Sequence, residues 1–243
     1  MIQVDVWEVK RPKPGTNLLI GFVDVGLVGL IGTKYIVEEL GMEMIGGIDV
    51  PSELAVSPIK NGVAQFPLGI YYKHPWVVIV PEVPLPPHLI YPIAATIVDY
   101  AERRGSKRII SITGLANFNR INVEPQIRWI VNDPELIEEM DKLKQIGKPL
   151  RDGVLYGPTA IILKTTKQRD FPSLAILADA FPDFPDPGAT AKVLEALNEL
   201  YSLGVDTKKL LEDSEKIKAK LQTIASQAKE VAKPERPSMV MYT

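Results

Sequence analysis

The hydrophobic positions along this chain fall into two alternating patterns. Short continuous apolar runs at residues 18–23, 44–50, 63–72, 76–80 and 108–113 are rich in β-branched or aromatic residues and bounded by turn formers, so they predict buried strands. The dipeptides Pro14-Gly15 and Asn61-Gly62 supply turns, the second a tight one within a strand-rich stretch. Between the runs lie segments of helical spacing. Residues 26–40 carry glycines at 26, 29 and 32 on one face, which lets a helix sit close against a sheet, and Gly41 stops it. Residues 88–104 place Ile90, Ile93, Ala94, Ile97, Val98 and Ala101 on one stripe before Gly105. Asp133-Pro134 and Asp186-Pro187 each pair a capping residue with a first-turn proline, predicting helices to about residue 146 and to Gly204. Residues 159–163 and 174–178 add two further buried runs, residues 114–126 read as polar and irregular, and the proline-rich residues 81–87 read as a strand-end loop. Strands alternating with helices imply a three-layer α/β/α domain with a mostly parallel sheet over residues 1–205.

The pattern changes after residue 205. From Asp206 to Lys233 there is no glycine and no proline, and Leu210, Ile217, Leu221, Ile224, Ala228 and Val231 follow one another in steps of 7, 4, 3, 4 and 3. That is a heptad seam, interrupted at Ser214, and its stripe is narrower than a globular core demands. It predicts a self-associating or projecting helix over residues 206–233. Residues 234–243 begin Pro-Glu-Arg-Pro-Ser, a composition that predicts a flexible tether carrying Met241-Tyr242-Thr243 outward. An apolar residue, a buriable phenol and a carboxylate at Thr243 together suit a pocket on another protein, so these three residues are the candidate partner-binding site.

Charge and composition narrow the function classes. In 243 residues, 28 Lys and Arg stand against 30 Asp and Glu, a net charge of −2 that offers nucleic acid no general attraction. There is no cysteine, so disulfides, thiolate metal sites and a cysteine nucleophile are excluded and a reducing cytoplasm is the expected location. The longest apolar stretches, such as residues 94–98 and 76–80, are far short of the roughly 20 residues that span a bilayer, and the N-terminus has no secretory pattern. Neither membrane nor nucleic acid is an expected partner.

Candidate chemistry is sparse. The segment Gly21-Phe22-Val23-Asp24-Val25-Gly26-Leu27-Val28-Gly29 lies between strand and helix, where glycines can cradle phosphate. Yet Asp24, Gly26 and Gly29 occupy the one, three and six places of the dinucleotide fingerprint, and no Gly-Lys-Ser/Thr follows for a P-loop. His74 and His88 lack motif neighbours, no serine sits in a Gly-x-Ser-x-Gly context, and Asp179, Asp183 and Asp186 read as capping and turn residues rather than cation ligands. Arg120 and Glu124, in a loop after a strand, could grip a small anion or ribose. No catalytic, cofactor or metal residue is therefore assigned. A nucleoside- or phosphate-handling hydrolase or phosphorylase using the loops near Gly26 and Arg120 stands as the alternative.

Four stretches taken in order resemble a known family: the Gly21 to Gly29 segment, Ser111-Ile112-Thr113-Gly114, Tyr156-Gly157-Pro158, and Asp183-Phe184-Pro185-Asp186-Pro187-Gly188-Ala189. Their set is similar to the archaeal proteasome-assembly-chaperone family. That resemblance implies a nucleoside-phosphorylase-like α/β fold used for protein binding, common homo-oligomerisation and no established cofactor. The ending resembles the hydrophobic-tyrosine-any tail with which proteasome activators enter pockets between α-subunits of the 20S particle, and it maps onto Met241, Tyr242 and Thr243. The expectation is an ATP-independent proteasome-binding homo-oligomer, an assembly chaperone or an activator, and not an enzyme.

Overall fold

Nine strands pair into one sheet with helices on both faces, in a computed structural model that describes residues 2–120, 123–208 and 210–212. The chain runs β1 (Asp5–Glu8), β2 (Asn17–Ile20), α1 (Val28–Glu39), β3 (Glu43–Asp49), a hairpin of β4 (Ile59–Lys60) and β5 (Val63–Ala64), β6 (Leu68–Lys73) and β7 (Trp76–Pro81). It continues with α2 (Pro87–Arg103), β8 (Arg108–Ala116), β9 (Ile127–Val131), α3 (Met140–Ile146), β10 (Lys148–Pro149), α4 (Pro158–Gln168), β11 (Ser173–Ala180) and α5 (Pro187–Tyr201). The strand order is β1-β3-β6-β7-β2-β8-β11-β9-β10.

Parallel pairing is concentrated in the central strands β7, β2, β8 and β11, whose connections pass through α1, α2 or α4. Both flanks are antiparallel where they meet this centre, β6 against β7 and β9 against β11. The cause is local. Only His74 and Pro75 separate β6 from β7, and no helix intervenes between β3 and β6, so neither connection can cross over to make a parallel pair.

Alternation along the central strands feeds two cores. Leu18, Ile20, Val77 and Ile79 face α2 and α4, whereas Leu19, Val78, Val80, Ile110 and Ile112 face α1, α3 and α5. All of these side chains are buried. The network of Glu8 with Tyr100 and Arg104 ties edge strand β1 to α2: the Tyr100 hydroxyl donates to Glu8 Oε1 at 2.7 Å and Arg104 pairs with the same carboxylate. Burial and the neighbouring Glu8 charge push the Tyr100 hydroxyl well above its ordinary range.

The structure refines the sequence expectations in five places. The first helix begins at Val28, because Gly26 has φ of 63° and Leu27 φ of 49°, and a 3₁₀ turn at Val25–Leu27 precedes it. The run at 63–72 is split by Pro67 into β5 and β6. The helix opened by Asp133, which accepts from the Glu135 amide at 2.9 Å, is a 3₁₀ turn that breaks at the extended Ile137 before α3 resumes at Met140. Residues 159–163 are helical within α4, whereas 174–178 form β11. The segment read as irregular ends in a strand, β9, that pairs with β11.

The tail of the body is also defined. Tyr35 donates its hydroxyl to the Asp206 carbonyl at 2.7 Å, and Leu210, the first position of the heptad seam, is 4% exposed and packs among the core residues beneath α1 and α5. Its side chain is therefore covered by its own subunit. Ile217, Leu221, Ile224, Ala228 and Val231, together with Met241, Tyr242 and Thr243, lie outside the described residues.

Candidate functional site

Parallel strands deliver their outgoing loops to one end of the sheet, and in open α/β sheets that end carries the binding surface. Here the segments after β2, β7, β8 and β11 converge with the N-termini of α1, α2 and α5. α4 leads into β11 and runs antiparallel to it, so Tyr156 and Gly157, just before α4, belong to the same end.

The Gly21 to Gly29 segment is built for packing. A Cβ on Gly21 would lie 2.3 Å from the Gly29 carbonyl oxygen, and one on Gly29 would lie 2.7 Å from the Gly21 backbone, so α1 rests directly on the strand end. At the left-handed Gly26 a Cβ would meet that of Ala180 at 2.8 Å, and the Gly26 carbonyl accepts from the Asp186 amide at 2.8 Å. These glycines are required by close contacts within the chain.

Arg120 is equally committed. Its Nε lies 2.9 Å from Asp186 Oδ2, its Nη2 donates to Asp186 Oδ1 at 3.2 Å, its Nη1 donates to the Val123 carbonyl at 2.8 Å, and the guanidinium sits 5.2 Å from the centre of the Phe181 ring. Asp186 in turn accepts from the amides of Ala189 at 2.9 Å and Phe181 at 3.2 Å, capping α5 as its sequence context predicts. Both partners are largely buried. This clasp joins the loop after β8 to the loop after β11, reinforced by the Asn117 amide donating to the Ala180 carbonyl at 3.0 Å. An anion-gripping role for Arg120 would require breaking it.

Asp24 is the perturbed acid of this end. Thr113 Oγ1 donates to Asp24 Oδ2 at 2.5 Å, while Oδ1 is buried with no hydrogen-bond partner. Burial pushes the carboxyl up to about 7, against the opposing hydrogen bonds from the Thr113 hydroxyl and the Gly114 backbone. The group hydrogen-bonded to this acid is the Thr113 hydroxyl. His74 sits in the β6–β7 turn at the opposite end of the sheet from His88, so the two histidines do not converge; His88 Nε2 lies 3.6 Å from Glu53. Of the aspartates at 179, 183 and 186, the first ends β11 in a buried position, the second is exposed and the third is held by Arg120. Among the described residues there is no group of three or more His, Cys, Asp or Glu able to hold a metal ion, and no helix is long and apolar enough to cross a membrane.

Three aromatics to which the sequence assigned no binding role stand in solvent at this end. Phe118 is 88% exposed, Tyr156 82% and Phe184 47%. Phe118 and Phe184 each stand two residues before a member of the Arg120–Asp186 clasp, and Leu155, next to Tyr156, packs against a small core cluster of Leu163, Ala175 and Leu177. Their signal in the sequence is an aromatic set among Asn, Gly, Pro and Asp, where core packing has no use for it.

The whole architecture recurs in known proteins. The crystal structure of Pyrococcus furiosus PbaA, an archaeal homolog of proteasome-assembly chaperone, matches with a TM-score of 0.81 and 27% identity, covering 94% of this chain and 99% of that one. Pyrococcus furiosus PbaB, an archaeal proteasome activator, matches in fold with a TM-score of 0.79 and 20% identity over 93% of this chain and all of that one. An uncharacterized protein of Methanocaldococcus jannaschii is 26% identical over 221 residues, 91% of this chain and 90% of its own. A family model described as PAC2 matches residues 18–225, and on that match, which spans both cores and the strand-end loops, the chain belongs to the PAC2 family.

Proposed function

We propose that this protein binds the proteasome without ATP, as an assembly chaperone or an activator, and that it does so as a cytoplasmic homo-oligomer. The observation that carries the reading is the near full-length likeness to PbaA at 27% identity within one family. The packing roles of Gly21, Gly26 and Gly29 and the clasped state of Arg120 support a binding function over nucleoside or phosphate chemistry at the strand ends.

In this reading Met241, Tyr242 and Thr243 dock into a pocket between α-subunits of the 20S particle. Tyr242 buries its ring and bonds through its hydroxyl, Met241 fills apolar space, and the Thr243 carboxylate meets a lysine. The seam from Ile217 through Leu221, Ile224 and Ala228 to Val231 assembles the subunits, with Leu210 anchoring its start to the body. Several tails on one oligomer then act together, and such multivalency raises avidity by about two to four orders of magnitude.

The test is hydrolysis of a fluorogenic peptide by purified 20S particles, together with 20S assembly from separate subunits, each with wild-type protein and with Tyr242→Ala. The expected result is that wild-type protein raises one of the two rates and the variant does not. Indifference of both processes to the wild-type protein contradicts the reading.

A further inference from the structure

We propose that Asn61 is a site of spontaneous covalent modification, where the side-chain amide is lost and aspartate and isoaspartate take its place. The inference is independent of the proteasome-binding reading.

Sequence and exposure single the position out. Asn61 precedes a glycine, and no other asparagine of the chain does. Gly62 carries no side chain to hinder the approach of its nitrogen to the Asn61 carboxamide, and nothing lies within 4 Å of where a Cβ on it would stand. Both residues are exposed at the tip of the β4–β5 hairpin.

Hydrogen bonding leaves the two reacting groups free. Among the described residues, the Asn61 carboxamide has no hydrogen-bond partner and the Gly62 amide donates to none. Other asparagines are engaged. Asn117 Oδ1 accepts from the Asn119 amide at 2.9 Å, Asn132 Nδ2 donates to the Phe171 carbonyl at 2.8 Å, and Asn198 Nδ2 donates to the Val205 carbonyl at 2.8 Å. Phe118, Asp133 and Glu199 follow these three, so a side chain also stands beside each attacking nitrogen.

The hairpin yields at low cost. β4 and β5 pair with each other and with no other strand, through the Ile59–Ala64 and Lys60–Val63 pairs, and all four residues are exposed. A two-stranded hairpin of this kind is marginally stable in water by itself. Left-handed φ values of 50° at Asn61 and 79° at Gly62 shape the tight turn. Brief opening lets Asn61 leave that geometry and bring its Cγ onto the Gly62 nitrogen.

The chemistry balances with water alone. The Gly62 nitrogen gives up its proton and bonds to Asn61 Cγ, the Cγ–Nδ2 bond breaks, and ammonia leaves carrying that proton. Water then opens the cyclic imide at either carbonyl, giving aspartate from one cleavage and isoaspartate from the other. Each product adds a carboxylate beside Lys60, and isoaspartate adds a backbone carbon to a tight turn that has no room for it. Pro58, Ile59 and Lys60 wall a cleft of about 210 Å³ against Lys34, Val37 and Glu38 of α1, so the modification alters that wall.

The experiment incubates full-length wild-type protein and Asn61→Ser in mildly alkaline buffer, folded and in urea, and follows peptide masses and released ammonia over time. In the folded wild type, the mass gain of amide-to-acid conversion is expected first in the peptide containing Asn61, split between two isomeric products. Asn61→Ser is expected to remove most of the ammonia released by the folded protein. Three outcomes overturn the proposal: conversion of Asn61 in urea with full protection in the folded protein, earlier conversion of another asparagine, or undiminished ammonia release by Asn61→Ser.

Discussion

Asp24→Asn isolates the one strongly perturbed acid at the strand end. In the native protein burial raises the Asp24 carboxyl from 3.8 to about 7. Between those two values the unfolded chain has released its proton and the folded chain has not, so the folded state binds more protons and loses stability as pH rises. The penalty is absent below about pH 4 and complete above about pH 7. A shift of roughly three units corresponds to about 4 kcal/mol. Asp24 keeps part of its surface in water, which screens the charge and lowers the expectation to about 2–3 kcal/mol.

Asparagine copies the neutral carboxyl: its carbonyl oxygen accepts from Thr113 Oγ1 and the Gly114 backbone, and its amide replaces the protonated Oδ1, which has no protein partner in either case. The variant should therefore exceed wild type by no more than about 1 kcal/mol near pH 4.5 and by about 2–3 kcal/mol near pH 8. Urea unfolding at fixed pH values measures this directly through the midpoint and slope. Native ion pairs such as Glu8–Arg104 and Asp186–Arg120 impose their own pH trends, but these are common to both proteins and cancel in the difference. A difference between variant and wild type that stays constant from pH 4.5 to 8, or a variant less stable at pH 8, would refute the reasoning.

Other perturbations follow from the same contacts. Arg120→Ala leaves Asp186 buried and unpaired, and should cost about 3–5 kcal/mol of unfolding free energy in urea titration. Gly29→Ala drives a methyl group into the Gly21 backbone and should cost about 1–3 kcal/mol through overpacking, read as a lowered thermal midpoint. Leu210→Ala removes a side chain that is 4% exposed in the body core and should cost about 2–5 kcal/mol, even though the heptad pattern alone places it on an oligomer seam; chemical denaturation of the dilute protein checks this.

What the sequence could reveal depended on how far each signal reached. Local signals carried well: Asp186-Pro187 capped a helix, Asn61-Gly62 turned a hairpin, and the continuous apolar runs at 18–23, 44–50, 76–80 and 108–113 supplied strands. The strand Ile127–Val131 was hidden because it is short and follows a polar loop, and its pairing to β11 is set by residues some fifty positions on. Residues 159–163 form a run too short for periodicity to separate helix from strand, and Pro158 at the helix start decided it. The strand-end site was the least legible part. Asp24 acquires its character from Thr113 and from burial, and Arg120 is silenced by Asp186, 66 residues away; neither partner is visible in a linear pattern. The exposed aromatics were visible as residues, but only the fold shows that three separate loops bring them to one end of the sheet.

The central claim is that the three residues ending in Thr243 hold the proteasome. Its most direct test is equilibrium binding of purified 20S particles to immobilised protein, wild type against a chain lacking Met241, Tyr242 and Thr243, with native mass confirming that subunit number is unchanged. The account predicts saturable binding by wild type and a loss of at least about thirtyfold for the truncation, the effect of removing one aromatic anchor worth about 2 kcal/mol or more. Equal affinity of the two proteins for 20S would contradict it.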